Sequence, residues 1–120
     1  MKKVIVAGSR TFDNFDLLEK YLKHQFKQLN LHHEDIEIVS GCAIGADTLG
    51  EQFAKKYNCA IKRFPADWDK YGKSAGYIRN SDMARYADIL FAFWDGKSAG
   101  TRHMIDLANK RGLTVFVLYV

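Results

Sequence analysis

The string Gly-Lys-Ser-Ala-Gly occurs twice, at residues 72–76 and 96–100, and each copy leads into a stretch of helical periodicity. Small residues let a ligand approach the backbone, and a lysine, a hydroxyl and a helix N-terminus beside them make an anion site. The unpaired amides of a first helical turn and the positive end of its dipole both favour phosphate. A third loop, Ser40-Gly41-Cys42-Ala43-Ile44-Gly45-Ala46, follows an apolar run, and the turn Gly8-Ser9-Arg10 follows the first such run. This many phosphate-friendly turns in 120 residues points to a chain that binds nucleotides or nucleic acid.

The side chains within these turns refine the expectation. An arginine at a strand's carboxyl edge, as at Arg10, can grip phosphate through two parallel hydrogen bonds. Ser40, Gly41, Ala43 and Gly45 are small enough for close backbone approach. Asp47 is either a first-turn acid that suits the helix dipole or a partner for a ribose hydroxyl or base edge. Lys73 belongs to the first repeated string. Arg79 and Asn80, one helical turn past Gly76, either form surface ion pairs or face the same cleft. The second copy contributes Gly96, Ser98 and Gly100, flanked by Asp95 and Thr101. Trp68 lies in a polar stretch and can stack on a base, whereas Trp94 ends an apolar run and reads as core. His24, His32 and His33 read as solvated, and His103 has no evident acid partner. No catalytic residue, metal ligand set or cofactor is assigned.

The elements that must position these residues follow from hydrophobic period. Short apolar runs at Val4–Ala7, Ile36–Val39, Ala60–Phe64, Ile89–Trp94 and Leu113–Val120 predict strands starting near residues 3, 35, 60, 88 and 113. Between them, Leu17, Leu18, Tyr21, Leu22, Phe26 and Leu29 recur at helical spacing behind Asp13 or Asn14 as caps. Further helices are expected over 46–57, 77–86 and 101–110, the last stopped at Gly112. Residues 65–76 read as an irregular polar loop. Strict alternation predicts an α/β, Rossmann-like three-layer sandwich on a mostly parallel five-stranded sheet. All four glycine-containing turns are expected beyond the carboxyl ends of strands, where such sheets bind ligands.

Composition bounds the rest. The chain has 120 residues, 48% hydrophobic and 27% charged, with one proline and no low-complexity stretch, which predicts a single domain over 1–120. No apolar run approaches the roughly 20 residues of a membrane span, and the N-terminal apolar stretch is too short for a signal peptide. Cys42 and Cys59 have neither metal-ligand spacing nor a disulfide framework, so a cytoplasmic location with reduced thiols is expected. A net charge of +4 favours an anionic partner weakly.

Two common nucleotide motifs are absent. A Walker A loop needs a glycine five residues before the Gly-Lys-Ser glycine, and Asp67 and Phe91 stand there. Gly8 is followed by Ser9-Arg10 instead of the Gly-x-Gly-x-x-Gly fingerprint. What remains resembles the SLOG superfamily, and within it the small YspA-like group related to the cytokinin-activating LOG proteins and the DNA-processing protein A family. The resemblance is carried by Ala7-Gly8-Ser9-Arg10, Val39 to Asp47, Pro65-Ala66-Asp67-Trp68, Gly76 to Met83, Ala87-Asp88 and Phe93 to Thr101. Cys42 departs from the pattern, which usually reads glycine there.

This resemblance implies a SLOG-like nucleotide-binding domain that binds or senses a phosphorylated nucleotide derivative of the ADP-ribose kind, through a phosphate-binding loop. Single-stranded DNA binding, as in the DNA-processing relatives, is the second reading, through Arg10, Lys73, Arg79 and Lys97. A LOG-type phosphoribohydrolase ranks third. Those relatives carry a catalytic glutamate in Pro-Gly-Gly-x-Gly-Thr-x-x-Glu, and Met104 stands at that position with no capacity to handle protons. Expected partners are a nucleotide or its derivative, single-stranded nucleic acid as the alternative, and no membrane; self-association is left open.

Overall fold

The computed structural model describes residues 1–120. Five strands, β1 (Lys2–Gly8), β2 (Ile36–Ser40), β3 (Ala60–Arg63), β4 (Ile89–Trp94) and β5 (Thr114–Tyr119), alternate with helices. The long helices are α1 (Phe15–Gln28), α2 (Ala46–Tyr57), α4 (Ala75–Tyr86) and α5 (Ala99–Lys110), and α3 (Trp68–Tyr71) is a single turn. Every strand pairing is parallel, in the order β3-β2-β1-β4-β5. This is the Rossmann-like α/β sandwich that the alternation predicts.

Strand pleating divides the core in two. Val4, Val6, Ile38, Phe91 and Phe93 point to one face and pack against Leu18, Leu22, Phe26 and Phe53 of α1 and α2. Their neighbours Ile5, Ala7, Val39, Leu90 and Ala92 point to the other and meet Met83, Ala84, Met104, Ile105 and Ala108 of α4 and α5. Successive strand side chains alternate faces, so strands covered on both sides read as continuous apolar runs. Each large side chain buried this way contributes roughly 1.5–3 kcal/mol. β1 lies in the middle of the sheet, and its central residues Val4, Ile5 and Val6 are fully buried.

Local signals set the ends. The Asn14 side chain accepts from the Leu17 amide and starts α1, and Gly112, at φ +78°, follows α5. Asp88 accepts from the Lys3 amide at 2.9 Å, tying the entry of β4 to β1. No helix is long and apolar enough to cross a membrane.

Residues 65–76 differ from the irregular loop expected. The Asp67 side chain accepts from the Lys70 amide and caps α3, and a 3-10 turn at Gly72–Ser74 joins α3 directly to α4. The first Gly-Lys-Ser-Ala-Gly copy is therefore preceded by a helix, not by a strand. Both copies place serine at the N-cap and glycine at the second helical residue. Only the second has a capping side chain, Ser98, which accepts from the Thr101 amide. In the first, the preceding 3-10 turn runs into the helix, and the Ala75 amide is already bonded to the Gly72 carbonyl.

Candidate functional site

The neighbours of β1 set the site. Chain order reverses between β1 and β4, and at such a switch point the connections leave a crevice beyond the carboxyl ends. The turn after β1 and the loop after β4 form its sides. A cavity of about 210 Å³ occupies it, lined by Gly8, Arg10, Ala43, Asp47, Trp68, Lys73, Arg79, Asn80, Ser98, Gly100 and Thr101 among the residues expected from sequence. Ala7, Gly76, Tyr77, Met83 and Met104 complete the wall. Gly76, Asn80 and Met83 follow i, i+4, i+7 along α4, and Met104 lies four residues beyond Gly100. Helical period extended from the motif residues would have found them.

Five expected residues stand behind the wall and shape it. Ser9 is 2% exposed; its amide donates to the Phe93 carbonyl at 2.9 Å, and its hydroxyl accepts from the Asp95 amide at 3.0 Å. It thereby welds the turn after β1 to the loop after β4. Ser40 is fully buried, donating to Glu51 at 2.6 Å and accepting from the Cys42 amide at 3.1 Å. Asp95 accepts from the Lys97 and Ser98 amides, both at 2.8 Å, and these bonds hold its carboxyl below the usual range. Gly96, at φ +79°, turns the chain within that loop. Gly45 packs its backbone against Ser9 and Arg10. Gly41 borders an adjoining cavity instead.

Arg79 bridges the two sides of the cleft. Its Nη1 donates to the Gly41 carbonyl, and its Nε donates to Asn80 Oδ1 at 3.1 Å. Asn80 in turn donates from Nδ2 to the Gly100 carbonyl and to His103 Nδ1, both at 3.2 Å. An amide NH₂ can only donate, so His103 Nδ1 accepts and carries no proton. Burial also holds His103 below the usual imidazole pKa. Asn80 thus fastens α4 to the start of α5 and locks the guanidinium orientation.

Asp47 sits in the first turn of α2, 5% exposed, with no side chain donating to it. The Ala43 amide approaches Oδ2 at 3.4 Å. Burial pushes its carboxyl up to about 6, against the pull of Arg79 and of the Ala43 and Gly41 amides. A carboxyl so placed accepts a hydrogen bond from a ligand hydroxyl at neutral pH and can donate one in mild acid. Arg10 and Lys73 make no ion pair or hydrogen bond with the protein. The Ala99 and Gly100 amides likewise have no backbone acceptor. Trp68 is 52% exposed at the rim, whereas Trp94 donates to the Ser98 carbonyl and packs on Tyr119.

Cys42, where the resemblance expects glycine, has φ +63°, a left-handed conformation that costs an L side chain about 1 kcal/mol. Its thiol makes only a 3.9 Å contact with the Ser40 carbonyl. Cys42→Gly is expected to raise the melting temperature by roughly 2–5 °C. A thermal unfolding curve that stays put or falls would show that the loop holds Cys42 without strain.

A parallel sheet with a cation-lined crevice at its switch point defines a Rossmann-like ligand-binding class. The chain belongs to the YspA, cpYpsA-related SLOG family, which matches over residues 2–71. A gene 61 protein of Mycobacterium phage D29 is 33% identical over 96% of this chain and 94% of its own length. Among solved structures, DNA processing protein A of Streptococcus pneumoniae superposes with a TM-score of 0.74 at 19% identity. That match covers 97% of this chain but only 49% of that protein. The Helicobacter pylori protein of the same name gives 0.69 at 20% identity, over 99% and 66% of the two chains. The chain therefore spans about half to two thirds of these structural relatives.

Proposed function

We propose that this chain binds a phosphorylated, nucleotide-derived ligand of the ADP-ribose kind at the carboxyl edge of the sheet. One observation carries the reading. Two cations with no protein partner, Arg10 and Lys73, line the same cavity as the open first turn of α5 and the buried Asp47. Phosphate gains charge-assisted bonds from the cations and neutral ones from the amides. Asp47 is placed to accept from sugar hydroxyls. The site residues act here as binding groups; Met104, 1% exposed in the cavity wall, offers no acid where the LOG relatives use one.

Thermal shift against a panel of nucleotides tests this directly. A ligand at 100 times its Kd stabilises by about 2.7 kcal/mol, a shift of several degrees. ADP-ribose is expected to give such a shift, and a flat response across the panel would overturn the proposal. A second reading, single-stranded DNA, is favoured by the exposed Trp68 beside Arg10, Lys73 and Arg79, and the Helicobacter pylori relative is described as binding single strands. Three phosphate contacts predict a log–log salt slope of about −2 on a single strand. No binding even at low salt would retire that reading.

A further inference from the structure

A second cavity, about 330 Å³, adjoins the first and shares four wall residues with it: Arg10, Ala43, Trp68 and Arg79. The two cavities differ in chemistry. The first carries Asp47, Ser98 and Thr101. The second adds Ile44, Pro65, Ala66, Gly41 and Cys42 to the shared wall, with no acid and no further cation. Ile44 is 66% exposed there, an apolar side chain held out toward solvent beside the exposed Trp68. Both arginines thus stand on the boundary, and Arg79 has two of its nitrogens already committed to Gly41 and Asn80. Its Nη2 and the whole Arg10 guanidinium remain for a ligand.

We infer that the site is bipartite, taking a ligand with an organic group on each side of a central phosphate or diphosphate. The phosphate lies between the Arg10–Arg79 boundary and the first turn of α5, a sugar bearing free hydroxyls reaches toward Asp47 in the first cavity, and a flat base lies over Ile44, Pro65 and Trp68 in the second. This rests on the phosphate-binding reading above and adds what that reading leaves open. A polar pocket matches hydroxyls because each finds a partner, and an apolar ledge with an indole matches a base face. A soluble diphosphate nucleotide and a single strand both supply this chemistry.

Titration calorimetry on the full chain with ribose 5-phosphate, ADP-ribose and dithymidylate separates the cases. ADP-ribose is expected to bind at least about tenfold tighter than ribose 5-phosphate, the contribution of one apolar arm. Cys42 offers a way to plug the second cavity: it is exposed, while Cys59 is buried. Alkylation of Cys42 with N-ethylmaleimide should erase the ADP-ribose advantage and leave ribose 5-phosphate unchanged. Ile44→Asn should reduce it several-fold in the same selective way. If dithymidylate shows the same advantage and the same loss, the source is a strand; if ADP-ribose alone does, it is a soluble diphosphate. Equal affinities for one-armed and two-armed ligands, or alkylation that weakens ribose 5-phosphate as much as ADP-ribose, would overturn the bipartite site while leaving phosphate binding intact. No binding by any of the three overturns both.

Discussion

Arg10→Ala is expected to weaken ADP-ribose binding at least tenfold, about 1.4 kcal/mol, while the melting temperature stays within about 1–2 °C of the parent. The selectivity follows from its position. Arg10 is exposed, touches both cavities and makes no ion pair or hydrogen bond within the protein, so truncation removes nothing the fold uses. A charge-assisted bond to phosphate has a net value of roughly 1.5–3 kcal/mol. Gly100→Val supplies a steric counterpart. A Cβ at Gly100 meets no atom within 4 Å beyond its chain neighbours and its own helix backbone, and the residue lines the cavity. Valine there costs the fold little and obstructs backbone approach by phosphate, with a loss of affinity similar to that of Arg10→Ala. Calorimetry and thermal unfolding on each variant read the two effects separately. Parent-like affinity in both, with normal folding, would remove the cavity as the phosphate site.

Gly45→Ala should have the opposite signature, a large loss of stability. Two penalties coincide at this residue. Its φ of +85° is a conformation that L side chains rarely adopt, and a Cβ would stand 2.4 Å from the Ser9 carbonyl oxygen and 2.7 Å from Arg10 Cα. Both neighbours are backbone, so neither can swing aside as a flexible side chain would. The strain and the overpacking together cost roughly 3 kcal/mol or more. For a chain of this size that lowers the melting temperature by about 10 °C. A shift under about 2 °C in thermal unfolding would show that the turn after β1 can move away from α2. Gly72, Gly96 and Gly112 have positive φ but no atom within 4 Å of an added Cβ. The close approach to Ser9 and Arg10 therefore makes Gly45 the more severe case.

Local chemistry was enough to read most of the architecture. Strands expected near residues 3, 35, 60, 88 and 113 begin at 2, 36, 60, 89 and 114. Runs such as Val4–Ala7 and Ile89–Trp94 are apolar at every position, as parallel strands covered on both faces require. The Rossmann-like class followed from their alternation with helical period, and the family from the order of its short motifs. The same local logic shortened α4 and α5 by two residues each and missed α3, because one-turn helices and first turns carry almost no periodic signal.

The candidate site was legible as a set of turns but not as a division of labour. Arg10, Asp47, Lys73, Arg79, Ser98 and Gly100 line one cavity as the turn chemistry implied. Ser9, Ser40 and Asp95 carry the same polar side chains, yet they bond other parts of the protein and hold the turns in place. Nothing in a sequence of turns says which hydroxyl faces a ligand and which faces another strand. Asn80 reads from sequence as a ligand contact; in the fold it ties α4 to α5 through the Gly100 carbonyl, a partner twenty residues away. The raised Asp47 carboxyl and the second cavity depend on how β2, α2 and α4 converge. Sequence alone determined the elements, their class and the residue types at their ends, because those depend on neighbours within a few positions. The strand order that puts β1 between β2 and β4, and with it the choice between scaffold and cavity wall, was decided only by contacts distant in sequence.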